Sequence, residues 1–303
     1  MRIVSWNLGA AYGPYVERHD EAWRWLEALD PHVALLQETI PPAWASERWT
    51  VVHRPFQHWC SAVLARPSLG LRELQLPAGS LLDRFGAYLA TAVLDDLVIA
   101  SVHTRAKEAP EWVTAGHDRA AMARPGEEDP WSNDVAFAGY RDLAGGRRFL
   151  VGGDWNTGRY ARLDGSIAPR NAAFFARADS AGWAELSVDQ DGREGRSWFG
   201  GDPRRPYQPD HVFADRTTAG LRRQAMIDPR PAELGLSDHA PIVLDVDMEV
   251  SPSERAEVHR QRRWLPAAFN WFRRRMTPRR WAWHVGTNPG HVSPRRNDLS
   301  VWR

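Results

Sequence analysis

Residues 149–156 read FLVGGDWN, a short apolar run that ends in two glycines and then in polar side chains. Its length and apolar content predict a buried strand over residues 149–152, with Asp154 and Asn156 just past the end of that strand. Similar runs rich in Val, Ile and Leu predict further strands at residues 2–6, 33–37, 61–65, 87–94, 97–102, 210–214 and 242–246. The chain is therefore expected to be built around β-sheets.

Helical patterns lie between some of these runs. Three apolar residues recur at helical spacing within residues 20–29, and Pro31 follows as a stop signal. Further helices are predicted at residues 134–143 and 171–181. Because helices alternate with many short strands, the pattern favours a layered α/β domain with mixed or antiparallel sheets.

The composition is that of a globular chain. Of its 303 residues, 43% are apolar and 25% are charged, which excludes collagen-like and wholly disordered chains. Cys60 is the single cysteine, so an intramolecular disulfide and a cysteine-rich zinc site are excluded. The first residues lack the apolar stretch of a signal peptide, and no run of ~18 apolar residues is present to span a bilayer. These features predict a cytoplasmic protein.

Charge divides the chain into two parts. Residues 250–303 contain twelve arginines and three acidic residues, whereas residues 1–249 contain 27 basic and 35 acidic residues. The formal net charge of +1 therefore hides an acidic body and a basic tail. We expect a boundary between two parts of the protein near residue 250.

Polar side chains stand at the ends of several predicted strands: Asn7, Glu38, His103, Asp154, Asn156, Asp238 and His239. Hard divalent cations such as Mg²⁺ are bound by a few carboxylate or amide oxygens, while water and phosphate complete the shell. Any one of these residues alone is more often a turn or solvated residue than a ligand. Taken together, they predict one shared polar rim.

Six motifs resemble, in order and spacing, those of the endonuclease/exonuclease/phosphatase superfamily: Ser5-Trp6-Asn7-Leu8, Leu36-Gln37-Glu38-Thr39, Ser101-Val102-His103-Thr104, Gly152-Gly153-Asp154-Trp155-Asn156, Pro209-Asp210-His211-Val212-Phe213 and Leu236-Ser237-Asp238-His239-Ala240-Pro241-Ile242. That group includes DNase I-like nucleases, apurinic-site endonucleases, sphingomyelinases and inositol-polyphosphate 5-phosphatases. The resemblance implies a four-layer α/β/β/α sandwich of two mixed β-sheets flanked by helices. The resemblance covers residues 2 to about 248 and makes residues 1–249 the expected catalytic domain. The charge division makes residues 250–303 a basic C-terminal extension.

The resemblance also implies a metal site. Glu38 would be the main ligand, with Asn7 and Asp238 beside the same cation. Mg²⁺ is the implied cofactor, with Mn²⁺ as a substitute. A cation of this kind neutralises the charge that develops on a transferring phosphoryl group.

Five catalytic residues are implied in the same way. Asp154 would position or activate the attacking water, while Asn156 and His103 would donate hydrogen bonds to phosphate oxygens. His239 would act as a general base or as a phosphate donor, oriented by Asp210. A carboxylate hydrogen-bonded to a histidine fixes the tautomer of the ring and supports its cationic form.

Two positions depart from the family pattern. Trp155 stands where the family usually has Phe, which keeps an aromatic ring at that position. His211 follows Asp210 where Tyr is common. Neighbouring residues of a strand point to opposite faces, so we expect His211 to point away from the site.

The substrate is chosen by loops rather than by the fold. The acidic body disfavours a duplex nuclease, which needs cationic loops to neutralise several phosphates. Loops near the Asp154 and Asp210 motifs partly supply such cations, with Arg159, Arg162, Arg193, Arg196, Arg204 and Arg205. Among the arginines near the motifs, Arg105, Arg159 and Arg204 are the candidates for substrate binding.

The leading interpretation is a Mg²⁺-dependent phosphodiesterase that hydrolyses nucleic acid, either as an endonuclease or as an exonuclease. A phosphatase, or a phospholipid or inositol-phosphate esterase, with the same metal site is the alternative enzyme. A non-catalytic binding module that retains the fold is the third alternative. The complete set of motif residues argues against that last interpretation.

The tail offers a second route to a polyanion. Arginines at positions 273–275 and 279–280 lie next to Trp271, Phe272 and Trp281, and this combination is used on single-stranded nucleic acid. The same composition suits an anionic membrane surface. The alternative is a poorly ordered extension, or one whose aromatic residues fold back onto the body.

Overall fold

A computed structural model of the chain describes residues 1–10, 13–54, 59–159, 169–201 and 207–248. The extension predicted over residues 250–303 lies outside these ranges, so its boundary and its role stay predictions.

The strands of the described ranges are numbered here in chain order. They are β1 (Arg2–Asn7), β2 (Val33–Thr39), β3 (Thr50–His53), β4 (Cys60–Ala65), β5 (Arg72–Glu73), β6 (Leu89–Leu94), β7 (Leu97–His103), β8 (Phe149–Asp154), β9 (Trp183–Glu185), β10 (Asp210–Asp215), β11 (Arg222–Ile227) and β12 (Ile242–Val246).

The helices are numbered in the same way. They are α1 (His19–Ala28), α2 (Ala45–Arg48), α3 (Leu81–Arg84), α4 (Glu111–Thr114), α5 (Arg119–Met122), α6 (Ser132–Ala144), α7 (Pro169–Ser180), α8 (Arg216–Ala219) and α9 (Arg230–Glu233). Short 3₁₀ turns occupy Gly13–Arg18, Pro67–Leu69 and Gly86–Tyr88. None of the helices in the described part of the chain is long and apolar enough to cross a membrane.

The strands form two mixed sheets of six strands each. The first sheet has the order β11-β12-β1-β2-β4-β3, and the second has the order β5-β6-β7-β8-β10-β9. One pair in each sheet is parallel, β1 with β2 and β7 with β8. The other strand pairs are antiparallel.

The two sheets enclose an apolar core made of alternate strand residues. Leu35 of β2, Ile99 of β7, Leu150 of β8, Val212 of β10 and Leu244 of β12 all belong to this core and are fully buried. Burial of apolar area contributes about 25 cal/mol per Å², so the burial of these side chains between the sheets stabilises the fold.

Helices cover the outer faces of both sheets. Trp23 of α1 packs in one buried cluster with Trp6 of β1 on the first sheet. On the second sheet, the ring of Phe174 of α7 lies 6.1 Å from the ring of Phe213 of β10 and 6.1 Å from that of Phe137 of α6. The predicted four-layer α/β/β/α sandwich is thus confirmed.

The predicted elements agree with the observed ones, apart from their ends and several short strands. The helices predicted at residues 20–29, 134–143 and 171–181 correspond to α1, α6 and α7. The strand predicted from residue 87 begins at Leu89, because residues 86–88 form a 3₁₀ turn. The strands β3, β5, β9 and β11 were not predicted, since they are short or carry polar side chains on exposed faces.

Strand pairing gathers the polar strand ends at one edge of the sandwich. Asn7 pairs with Gln37, the residue before Glu38, in the parallel pair β1 and β2. His103 lies opposite Asp154 in the parallel pair β7 and β8, and Asp210 lies opposite the same Asp154 in the antiparallel pair β8 and β10. The shared rim expected from the sequence therefore exists.

Candidate active site

Asn7 contacts two carboxylates at the centre of this rim. Its side-chain nitrogen donates to Asp154 Oδ2 at 3.1 Å and to Glu38 Oε1 at 3.4 Å, and its oxygen accepts from the Gly9 N–H at 2.9 Å. Asn7 is 1% exposed, so these contacts are shielded from solvent. The ends of β1, β2 and β8 therefore meet at one amide.

Glu38 and Asn156 carry unusual backbone conformations. Their φ angles are +45° and +49°, in the left-handed region that residues other than glycine seldom adopt. At Glu38 the register of β2 against β4 also shifts, between Leu36 and Thr39. Strain of this kind concentrates at functional sites, where the surrounding structure imposes it.

His103 closes one side of the rim. Its Nε2 lies 3.4 Å from Glu38 Oε1 and 3.8 Å from Asp154 Oδ2, and its ring packs 5.3 Å from Trp59 and 5.7 Å from Tyr88. Burial, the neighbouring His239 and the Arg105 guanidinium lower the pKa of His103 to about 3. The ring is neutral at physiological pH and carries one N–H to donate.

His239 lies between two carboxylates on the other side. Its Nδ1 is 2.8 Å from Asp210 Oδ2, and its Nε2 is 3.9 Å from Asp154 Oδ2. The acidic and imidazole ligand atoms of Asp154, Asp210 and His239 all lie within 4.8 Å of one another. The His239–Asp210 contact has the geometry that the sequence predicted for an oriented histidine.

Burial and charge shift the pKa values in this cluster. Burial raises the pKa of Asp154 to about 7, and the carboxylates of Asp210 and Glu38 add to that effect. Burial also raises the pKa of Glu38. Burial alone would lower the pKa of His239, but Asp210, Asp154 and Asp238 outweigh it and raise that pKa well above its usual value. The ring of His239 is therefore an imidazolium at neutral pH.

The segment Ser197–Phe199 holds this cluster from the side, which the sequence did not predict. Ser197 Oγ lies 2.5 Å from Asp210 Oδ2, and the Ser197 carbonyl accepts from the Ala240 N–H at 2.7 Å. The Phe199 N–H donates to the Asp238 carbonyl at 2.6 Å. The indole Nε1 of Trp198 donates to Asp238 Oδ2 at 3.3 Å.

The three predicted metal ligands face a common region. Asn7 and Glu38 are in contact, and Asp238 Oδ1 lies 3.3 Å from the position that a Cβ would take on Gly9. Oxygen ligands of this kind suit a hard divalent cation. The raised pKa of Glu38 reflects buried negative charge that a divalent cation would offset, so the residues present fit such an ion.

Asn156 is held close to Asp154. Its backbone N–H donates to Asp154 Oδ1 at 2.9 Å, and its side-chain nitrogen donates to the Thr104 carbonyl at 2.8 Å. Because an amide nitrogen carries two hydrogens, the second one is left to donate to a ligand. The structure thus brings together all eight predicted metal-binding and catalytic residues at one rim.

The predicted substrate-binding arginines are placed differently from one another. Arg105 is half-buried two residues beyond His103, and its backbone N–H donates to Ser132 Oγ at 3.3 Å. The Arg159 guanidinium donates to Glu185 Oε2 at 2.7 Å rather than to a group of the rim. Arg204 lies outside the described residues. Substrate binding by these arginines stays a prediction.

A sequence model of the endonuclease/exonuclease/phosphatase family matches residues 4–239. The chain belongs to this family. The endonuclease/exonuclease/phosphatase fold and the matched region together make it a hydrolase of phosphoester bonds. Among curated proteins, no sequence matches the chain.

Solved structures of other proteins share the fold. A 3′-5′ exonuclease, NExo, from Neisseria meningitidis has 16% identity and a TM-score of 0.62, and the match covers 82% of this chain and 100% of that one. A 3′ phosphatase structure of NExo from Neisseria, bound to a product DNA hairpin, has the same identity and coverages and a TM-score of 0.61. An AP endonuclease from Archaeoglobus fulgidus has 12% identity, a TM-score of 0.61 and coverages of 82% and 100%.

Proposed function

We propose that this phosphoesterase is a Mg²⁺-dependent phosphodiesterase that hydrolyses nucleic acid by in-line attack of water. The observation that carries the proposal is the position of Asp154, whose Oδ2 lies within 4 Å of Asn7, His103 and His239. One carboxylate is thereby surrounded by hydrogen-bond donors beside the predicted metal ligand Glu38. A phosphoryl transition state needs this combination of an aligned nucleophile and fixed donors.

Glu38, Asn7 and Asp238 would hold the cation. When bound, Mg²⁺ supplies a positive charge that stabilises negative charge on the phosphate. Mn²⁺ takes the same oxygen ligands and is expected to substitute.

The side chains of the rim would accept a proton from the attacking water and donate hydrogen bonds to the phosphate oxygens. Asp154, with a pKa raised to about 7, is suited to accept a proton from the attacking water. His239 is already protonated at neutral pH, which favours the second of its two predicted roles, donation of a hydrogen bond to a phosphate oxygen. Asp210 holds the other ring nitrogen, and neutral His103 and Asn156 complete the set of donors.

A nucleic acid substrate is supported by the fold neighbours. One of them was solved with a product DNA hairpin, and others are described as an exonuclease and an AP endonuclease. The description of NExo as a 3′ phosphatase supports a second candidate, release of phosphate from a 3′-phosphorylated end at the same rim. Both candidates use the same metal ligands.

A substrate panel tests the proposal. The purified protein is assayed with Mg²⁺ on plasmid DNA, single-stranded DNA, RNA, a 3′-phosphorylated oligonucleotide, a lipid phosphodiester and inositol phosphates. We expect cleavage of a nucleic acid that EDTA and Glu38→Ala abolish and that Glu47→Ala, at an exposed position of α2, leaves unchanged. Activity that survives EDTA or Glu38→Ala would contradict the mechanism, and release of phosphate from small monoesters alone would contradict the nuclease assignment.

The basic extension is proposed as a second polyanion-binding element, on the strength of its twelve arginines against three acids. Truncation after Glu249 is expected to weaken binding to nucleic acid, and to anionic vesicles if these bind, and to reduce the salt dependence of binding. The rate of metal-dependent hydrolysis of a short substrate should remain. Equal affinity and an equal salt slope in the truncated protein would remove this role.

A further inference from the structure

A second buried cluster of charged residues lies beside the rim, on the helix-covered face of the second sheet. His211, fully buried on β10, lies with Nδ1 2.7 Å from Glu185 Oε1 and with Nε2 2.7 Å from the Thr157 carbonyl. A carboxylate and a carbonyl only accept hydrogen bonds, so both nitrogens of the ring donate. The geometry therefore makes His211 an imidazolium that joins β9 to the segment after β8.

Arg159 adds a second cation to the cluster. Its guanidinium donates to Glu185 Oε2 at 2.7 Å and lies 4.0 Å over the ring of Phe175. Its backbone N–H donates to both oxygens of Glu194, at 2.8 and 2.9 Å. Two cations thus face two carboxylates whose side chains are 6% and 3% exposed.

The charges stabilise one another in this setting. Burial alone would lower the pKa of His211, but Glu185 and Glu194 raise it to about 9. Burial alone would raise the pKa of Glu185, but His211 and Arg159 lower it to about 2. In some proteins a buried polar or ionic group fixes one arrangement of the chain, and removing one partner leaves an uncompensated buried charge.

The cluster contacts the chain immediately after the catalytic motif. His211 binds the Thr157 carbonyl, and Glu194 binds the Arg159 N–H. These two residues follow Asn156 by one and three positions along the chain. Asn156 itself has the strained φ of +49°. A strained residue keeps its conformation only where its neighbours impose it, and the segment Thr157–Arg159 is its neighbour on one side.

We propose that His211, Glu185, Arg159 and Glu194 form a positioning network that fixes the segment after β8 and thereby orients the Asn156 side chain toward the phosphate. This inference rests on the proposed function, since it assigns Asn156 a contact with substrate. It gives Arg159 a positioning role in place of the predicted contact with substrate. Outer contacts that orient catalytic side chains commonly change activity by 10- to 100-fold when they are removed.

A double-mutant cycle tests the network through Asn156. We expect Arg159→Gln to lower kcat about tenfold and to change KM less than about twofold, because the substrate still binds while one donor is misplaced. In an Asn156→Ala background the same substitution should have no further effect on kcat, since the group that the network orients is gone. A merely structural role would lower kcat in both backgrounds.

Arg66→Gln is the matched control. Arg66 donates to Asp30 at 3.0 Å and lies 4.2 Å over the ring of Trp49, so it makes the same two kinds of contact after β4, at the opposite end of the first sheet from Glu38. Its effect on kcat should be small and independent of Asn156. Multiplicative effects of Arg159→Gln and Asn156→Ala, or a raised KM with unchanged kcat, would overturn the proposal.

Hydrogen exchange of the backbone amides separates this proposal from the proposed function. In Arg159→Gln, and in Glu194→Gln as a second variant, the amides of residues 156–159 should exchange faster than in the wild type, while β10 amides stay protected. Unchanged exchange at residues 156–159 would overturn the network whether or not the protein cleaves a phosphoester. Faster exchange in a protein inactive on every substrate would leave the network standing and remove the proposed function.

Discussion

His239 Nδ1 lies 2.8 Å from Asp210 Oδ2, while Nε2 of the same ring faces Asp154 Oδ2 at 3.9 Å. One histidine is therefore held between two carboxylates that are 2% and 3% exposed. Asp154 lies opposite Asp210 in the β8–β10 pair, so the spacing of the two carboxylates is fixed by the sheet. Both carboxylates raise the pKa of His239, so the charge of its ring depends on their positions in the sheet.

Asp210→Asn should uncouple this pair. Because Asp210 is the strongest of the carboxylates that raise the pKa of His239, the variant is expected to have a lower His239 pKa and a kcat reduced by about 10²- to 10⁴-fold. NMR titration of the imidazole protons measures the pKa, and initial rates measure kcat. An unchanged His239 pKa in Asp210→Asn would contradict the assigned electrostatics.

The same pair predicts how stability depends on pH. The pKa of His239 is higher in the folded protein than in the unfolded chain, so its stabilising contribution is complete below about pH 6.5. That contribution is lost as the pH rises through the folded-state pKa. Denaturant unfolding in EDTA should therefore show a stability decrease toward alkaline pH that is smaller in Asp210→Asn.

Glu38→Gln should raise the stability of the metal-free protein and lower its activity. Burial raises the pKa of Glu38, which means that its ionised carboxylate destabilises the metal-free fold at neutral pH. We expect the variant to melt at a higher temperature than the wild type in EDTA, yet to lose at least about a hundredfold in activity. Thermal denaturation with and without Mg²⁺ measures both effects on stability.

The response to the ion provides the control for that experiment. A ligand that binds only the folded state raises the melting temperature, so Mg²⁺ should stabilise the wild type and fail to stabilise Glu38→Gln. Glu47→Gln, at an exposed position of α2, should respond like the wild type. Equal stabilisation of wild type and Glu38→Gln by Mg²⁺ would remove Glu38 from the metal site.

The rim could be predicted from the sequence because sheet pairing converts a local pattern into a spatial one. Asn7, Glu38, His103 and Asp154 each lie at or next to the end of a buried strand, and parallel pairing brings such ends to one edge. The strand predicted over residues 149–152 extends to Asp154 in β8, so both glycines before Asp154 lie within the strand. Gly153 lies within β8, where a Cβ would be 1.9 Å from the Val102 carbonyl oxygen.

The supporting contacts could not be predicted, because they depend on how long loops close. Ser197 reaches Asp210 across 13 residues, and Trp198 reaches Asp238 across 40. The segment Ser197–Phe199 has no periodic pattern of apolar residues that would predict a strand or a helix. The alternation of β10 predicted only that His211 would face away from Asp210, and its partner Glu185 lies on the short strand β9 that the pattern missed.

Trp198→Phe should weaken metal binding while preserving the ring. The indole N–H donates to Asp238 Oδ2, and a phenyl ring packs in the same place without that donor. Loss of such an orienting contact is expected to lower the affinity for Mn²⁺ about tenfold, with much of kcat restored at saturating ion. Electron paramagnetic resonance of free Mn²⁺ measures the affinity, and Trp112→Phe, at a 46% exposed position, is the control.

Asp134→Asn should destabilise the fold without touching the rim. Asp134 on α6 is fully buried, its Oδ2 lies 2.6 Å from Arg124 Nε, and its Oδ1 lies 3.2 Å from an Arg177 nitrogen. Arg124 is itself 2% exposed, so neutralising Asp134 leaves a buried cation with less compensating charge. Breaking a buried ion pair from one side costs about 3 to 5 kcal/mol. Burial outweighs the two arginines and raises the pKa of Asp134, so we expect a smaller loss of about 1 to 3 kcal/mol for Asp134→Asn. Asp142→Asn, in the exposed pair with Arg141, should change the free energy of unfolding by less than about 0.5 kcal/mol. Urea denaturation measures the free energy of unfolding of the two variants. Equal losses would show that burial does not increase the contribution of the Arg124–Asp134 pair to stability.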